Sequence, residues 1–147
     1  MAYYLAVGNG ASGESVSFSS TINTTTGNSF SVEWRSNYTS SGNATYAVTG
    51  SSVSNGIAIT ATEVRFYAFQ GGTYTLAHNI ADYTQLHTFR VDYDGTDLKL
   101  YVDNSLETTE SNVGSSFFTA SAISETGSRG SFDLYFLKIS ESGTLIH

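Results

Sequence analysis

The densest group of chemically capable side chains in this sequence is Asp92-Tyr93-Asp94-Gly95-Thr96-Asp97. Its carboxylates, Asp92, Asp94 and Asp97, are hard oxygen ligands of the kind Ca²⁺ takes, about six to eight at a time. They form the candidate metal site, with Ca²⁺ as the one conceivable cofactor. The spacing departs from an EF-hand loop, which places its glycine after the third acidic position. The competing expectation is a turn. Asp-Gly accommodates positive φ between two strands, and Asp side chains bond to nearby turn backbone.

Tyrosine is the second feature. Tyr38, Tyr46, Tyr67, Tyr74 and Tyr83 fall in or near expected strand ends and loops. An exposed tyrosine can stack on a sugar ring or anchor a protein interface, because it offers large area at low entropic cost. These five are the candidate ligand- or interface-binding residues; the plainer alternative makes many of them core residues with the hydroxyl at the edge.

Other chemistries find little support. His78, His87 and His147 stand far apart, no His-x-x-x-His pair occurs and there is no cysteine. Zinc sites and disulfides are therefore not expected. No Gly-x-Ser-x-Gly elbow accompanies the many serines. Gly8-x-Gly10 and Gly71-Gly72 precede no helical pattern, so they read as loops rather than phosphate cradles. Glu33, Glu63, Glu107 and Glu110 are scattered, whereas glycoside hydrolysis needs two carboxylates flanking the bond.

The elements that must carry these residues are strands. Phe30, Val32 and Trp34 alternate with Ser31, Glu33 and Arg35; Phe89, Val91 and Tyr93 alternate with Arg90, Asp92 and Asp94. Leu98, Leu100 and Val102 alternate with Lys99, Tyr101 and Asp103. A period of two is the mark of an antiparallel strand with one face on a core and one in water. Near the C-terminus Phe132 and Leu134 alternate with Asp133 and Tyr135, but Leu137 and Ile139 resume one residue late. A β-bulge near Phe136 accounts for that shift. Shorter candidate strands are 3–7, 14–19, 45–49, 56–61, 63–69, 73–79 and 115–124, separated by turn clusters at the spacing of a sandwich.

Composition agrees. The 147 residues suit one domain, read here as spanning 1–147. Nine Phe, ten Tyr and one Trp supply core and faces, while Ser, Thr, Val and aromatics favour pleated structure. The net charge is −7 with six Lys and Arg. Such a balance disfavours phosphate backbones and anionic lipid, so neither nucleic acid nor membrane insertion is expected. The start, Met1-Ala2-Tyr3-Tyr4-Leu5-Ala6-Val7, has no basic region or long apolar run, so synthesis without a signal peptide is expected.

Three stretches carry a resemblance. Residues 86–104, Leu-His-Thr-Phe-Arg-Val-Asp-Tyr-Asp-Gly-Thr-Asp-Leu-Lys-Leu-Tyr-Val-Asp-Asn, are similar to the aromatic-led strand, "Tyr-Asp-Gly" turn and "Leu-x-Leu-Tyr-Val-Asp-Gly" strand of laminin-G-like domains. Those domains belong to the concanavalin A-like lectin/glucanase superfamily. Leu86 stands where that family usually has Trp, and Asn104 where it usually has Gly. Ser29–Arg35 resembles the family's early strand, and Phe132–Ile139 its closing strand.

The resemblance implies an all-β fold, a two-sheet antiparallel β-sandwich or jelly roll. Its members bind glycans or proteins, cleave polysaccharides or build structures, so function must be argued from a site. The hydrolytic members' Glu-x-Asp-x-x-Glu motif is absent. The expectation is a non-enzymatic structural or adhesive module. It resembles a virion component of a bacteriophage, a capsid decoration or tail protein on the particle surface, working as a homo-oligomer with other structural proteins of the particle. The alternative is a carbohydrate-binding lectin-like domain, with Ca²⁺ as its conceivable aid; a polysaccharide-cleaving enzyme comes third.

Overall fold

The alternating runs form antiparallel strands. In a computed structural model of the chain, residues 5–7, 15–38, 45–49, 56–59, 63–69, 73–78, 85–115, 117–126 and 132–147 are described. The strands are β1 (Leu5–Val7), β2 (Ser15–Asn23), β3 (Phe30–Tyr38), β4 (Thr45–Thr49), β5 (Gly56–Ile59), β6 (Val64–Phe69) and β7 (Thr73–His78). They continue with β8 (His87–Tyr93), β9 (Leu98–Val102), β10 (Ser105–Glu110), β11 (Thr119–Thr126), β12 (Phe132–Glu141) and β13 (Thr144–Leu145).

One large sheet runs β1-β12-β3-β8-β9-β10, with β13 added to β12. Opposite it stand the ladders β2-β11-β4 and β5-β6-β7, with β4 running beside β5. The fold is a two-sheet antiparallel sandwich, a jelly roll. At one edge β7 approaches β10, where His78 Nε2 and Glu107 Oε2 lie 3.5 Å apart.

The core lies where the alternation puts it. Phe30, Val32, Trp34, Phe89, Val91, Tyr93, Leu98, Leu100 and Val102 are buried, and Ser31, Glu33, Arg90 and Lys99 face outward and half-covered. From the second layer Val64, Phe66, Leu76 and Phe118 close the space. Each such side chain contributes about 1.5–3 kcal/mol when fully buried. Phe30 sits between the layers, its ring 5.3 Å from that of Tyr93 and 6.4 Å from those of Phe66 and Phe118. Trp34 stacks on Phe89 at 5.2 Å. The Trp34 indole N–H has no acceptor, so burial and stacking outweigh a desolvation penalty of about 1–3 kcal/mol.

The expected bulge is present. The β12–β3 register shifts between Leu134, opposite Ser36, and Phe136, opposite Arg35, leaving Tyr135 as the extra residue. Leu134 and Ile139 are both buried although five positions separate them, which a strict two-residue period does not allow.

Most strand bounds differ from expectation by one or two residues; β2 runs four residues further, to Asn23, and two differences have a physical cause. The strand expected over 115–124 begins at Thr119, because residues 111–115 cross between the layers and bury Val113. β10 was not expected at all. Its sequence, Ser-Leu-Glu-Thr-Thr-Glu, has no alternation and is mostly exposed, with Leu106 at 54 %. The turn before it makes the strand. Asp103 and Asn104 have φ of 49° and 70°, and Val102 pairs with Ser105. Two positive φ values in a two-residue loop are what a type I′ hairpin requires, and Asp and Asn tolerate them best after glycine.

Candidate ligand-binding cleft

Register brings three strand ends to one rim of the sandwich. Ser31 of β3 stands between Asp92 of β8 and Ser140 of β12, all on the outward-facing row. Beside them a shallow cleft of about 240 Å³ opens. It is lined by Ser29, Ser31, Ser140, Asp92, Asp94 and, at its lip, Gly143, with Phe30 and Tyr93 beneath them, their rings buried in the core. The volume lies below the roughly 300–1,000 Å³ of drug-sized pockets, so it suits one ring-sized group.

The walls are held by hydrogen bonds that the folded chain makes for itself. Ser31 Oγ donates to Asp92 Oδ1 at 2.8 Å, and Arg90 Nε donates to Asp92 Oδ2 at 3.1 Å. The Arg90 guanidinium also lies 4.2 Å from the Tyr101 ring centroid. Asp94 Oδ1 accepts from the backbone N–H groups of Thr96 and Asp97 at 3.0 and 2.9 Å. Lys99 Nζ donates to Asp94 Oδ2 at 2.6 Å. These donors, Lys99 first, lower the Asp94 pKa from 3.8 to about 2. The same contact raises the Lys99 ammonium above its ordinary value.

The C-terminal hairpin fixes the lip. Ser142 and Gly143 have φ of 46° and 78°, which turns β12 back into β13. Ser142 N donates to Ser29 O at 2.9 Å. Glu141 Oε1 accepts from Thr25 N at 2.7 Å and Asn28 Nδ2 at 3.0 Å, tying the 24–29 loop to the end of β12. The Thr25 N–H, foremost among these donors, holds the Glu141 carboxyl below its usual range.

The three acids proposed as a metal set are brought to one hairpin but given separate duties. Asp92 takes Ser31 and Arg90, and Asp94 takes Lys99 and the turn backbone. Asp97 Oδ1 accepts from Asn112 N at 3.1 Å, which anchors the 111–115 crossover. Among the described residues no group of three His, Cys, Asp or Glu side chains is arranged to hold a metal ion. The turn itself matches the Asp-Gly expectation, with Gly95 at φ 103° and Asp94 N donating to Asp97 O at 3.2 Å.

The tyrosines are dispersed. Tyr38 ends β3 in the large sheet, Tyr46 lies in β4, Tyr67 in β6 and Tyr74 in β7, while Tyr83 falls outside the described residues. These four belong to three different ladders. Sequence reasoning found the Asp92 and Asp94 walls of the cleft and missed Ser29, Ser31 and Ser140. Serines this abundant carry no local signal; only pairing β12 with β3 and β3 with β8 places them together.

A second polar cluster lies at the other end of β8. His87 Nδ1 meets Asp103 Oδ2 at 2.7 Å, and Thr88 N donates to Asp103 Oδ1 at 2.9 Å. Burial pushes the Asp103 carboxyl up, but the donors Thr88 and His87, with Arg35 nearby, outweigh it and hold it below its ordinary value. An ionised carboxylate only accepts, so His87 carries its hydrogen on Nδ1 in this contact. The cluster staples the β9–β10 turn to β8.

No protein-family model matches the chain, and no curated protein does. Solved structures do. The binding domain of botulinum neurotoxin serotype G superposes with a TM-score of 0.69 at 9 % identity, over 97 % of this chain and 40 % of that one. The binding domain of botulinum neurotoxin DC in complex with SialylT gives 0.58 at 12 % identity, over 99 % and 44 %. A variant of family 7 alginate lyase A1-II′ in complex with substrate (GGMG) gives 0.51 at 11 %, over 82 % and 63 %. This chain spans less than two thirds of each of these three structures. At such identities the likeness is one of fold, the jelly-roll sandwich, and it carries no residue-level role.

Proposed function

We propose that this chain is a non-catalytic recognition module that binds carbohydrate at the Ser31–Asp92 cleft and serves as an adhesive part of a larger assembly. The cleft carries the proposal. It combines room for one ring with a hydroxyl and carboxylates held in place by hydrogen bonds, and fixed walls lower the ordering cost of binding. Sugar hydroxyls are donors and acceptors; Asp92, Asp94 and the serine hydroxyls are their complements.

The electrostatics favour binding over catalysis. A general acid for glycoside cleavage needs a raised carboxyl pKa. Among the described residues the resolved carboxyl shifts, at Asp94, Asp103 and Glu141, are downward. The alginate lyase likeness motivates one control, incubation with polysaccharide, for which no new chain ends are expected. A finer proposal places the module on a bacteriophage particle as a homo-oligomeric decoration or tail protein. It is supported by the resemblance of the closing strand, 132–139, and by the compact jelly roll.

The test is a broad glycan array followed by titration of the best binder. One glycan class should bind, and Asp92→Ala should weaken it by at least about tenfold, equivalent to about 1.4 kcal/mol. A blank array, or binding indifferent to both Asp92→Ala and Ser31→Ala, would remove the proposal.

A further inference from the structure

We infer that the cleft selects neutral, hydroxyl-rich glycans and excludes sialylated, sulfated and uronate ones. This rests on the carbohydrate-binding reading above and concerns which glycans that site takes.

The groups facing the cleft are acceptors or hydroxyls. Asp92 and Asp94 contribute carboxylates, and Ser31 has already committed its proton to Asp92. A neutral sugar presents hydroxyl donors to such a wall. A sugar carboxylate or sulfate presents acceptors to acceptors and sets like charges side by side.

The nearby cations do not reverse this. Arg90 and Lys99 are bonded to Asp92 and Asp94, and neither is among the residues lining the cleft. Around this rim stand four acids (Asp92, Asp94, Asp97 and Glu141) against those two bases. The whole chain adds a net charge of −7, which lowers the local concentration of any anion over a Debye length of about 8 Å in physiological salt. Because Asp94 titrates near 2, mild acid leaves its charge in place.

The experiment pairs neutral glycans with their sialylated and sulfated derivatives, adds a uronate polymer, and measures the full chain at low and high salt. Asp92→Asn and Asp94→Asn accompany it, each checked by its melting curve. The neutral member of each pair should bind at least about tenfold tighter at low salt. Raised salt, and either Asn variant that remains folded, should narrow that gap. Equal or tighter binding of the anionic member overturns the inference and leaves the carbohydrate reading standing. So does a neutral preference that neither salt nor the variants move, since its cause is then not charge. Failure to bind any glycan overturns both.

Discussion

Thr24 and Phe118, 94 positions apart, clasp each other across the mouth of the second layer. Thr24 N donates to Phe118 O at 2.9 Å, and Phe118 N donates to Thr24 Oγ1 at 2.8 Å. Both residues are buried. The contact joins the end of β2 to the start of β11, and it sits beside the loop that Glu141 ties to β12. Thr24→Val keeps the shape and removes the hydroxyl, leaving the buried Phe118 N–H without its acceptor. A loss of about 1–3 kcal/mol follows. Urea denaturation should show a lower midpoint at unchanged slope, and an unchanged midpoint would mean that the clasp contributes nothing.

Phe30 joins the two layers beneath the cleft. Phe30→Ala removes a ring packed on Tyr93, Phe66 and Phe118, at a cost of about 3–5 kcal/mol. Phe30→Leu retains most of the volume and should cost far less. If Phe30→Ala were as stable as the parent chain by chemical denaturation, Phe30 would not be the bridge between layers described above.

The fold was legible because burial and alternation are the same fact in a half-exposed sheet. Phe30, Val32 and Trp34 could be assigned a face from spacing alone, and the Leu134–Ile139 phase slip announced the bulge at Tyr135. β10 was not legible, since its strand is imposed by the Asp103-Asn104 turn and by pairing with β9 rather than by its own side chains. The cleft was half legible. Asp92 and Asp94 stood out as a cluster, but what they touch depends on the β3–β8–β12 register. Register across strands sixty positions apart is a tertiary property, absent from any local pattern.

Asp97 separates the turn from the metal reading. Its carboxylate holds the Asn112 N–H, so Asp97→Ala should destabilise the chain by about 1–3 kcal/mol and raise hydrogen exchange across residues 111–115. Neither Ca²⁺ nor EDTA should move the melting temperature of the parent chain, since Asp92, Asp94 and Asp97 already serve other donors. A Ca²⁺-dependent rise abolished by Asp97→Ala would reinstate a metal site, because a ligand that binds only the folded state must stabilise it.

Asp94 and Lys99 set the pH dependence of the rim. The folded Asp94 value of about 2 lies below its ordinary 3.8, so its contribution is present above the ordinary carboxylate range and is lost as pH falls from about 4 towards 2. Lys99 is shifted the other way, so its share is present below its ordinary pKa of 10.5 and disappears as pH rises beyond that. Asp94→Asn can still accept from the turn backbone but loses the ion pair. Its melting temperature should therefore fall below that of the parent chain at neutral pH, with the two curves converging near pH 2 and again in strong alkali. Both side chains are substantially exposed, so added salt should shrink the neutral-pH gap as well. Melting curves across this range, with and without salt, read it directly. A gap that persisted at pH 2 would assign the effect to turn geometry rather than to charge.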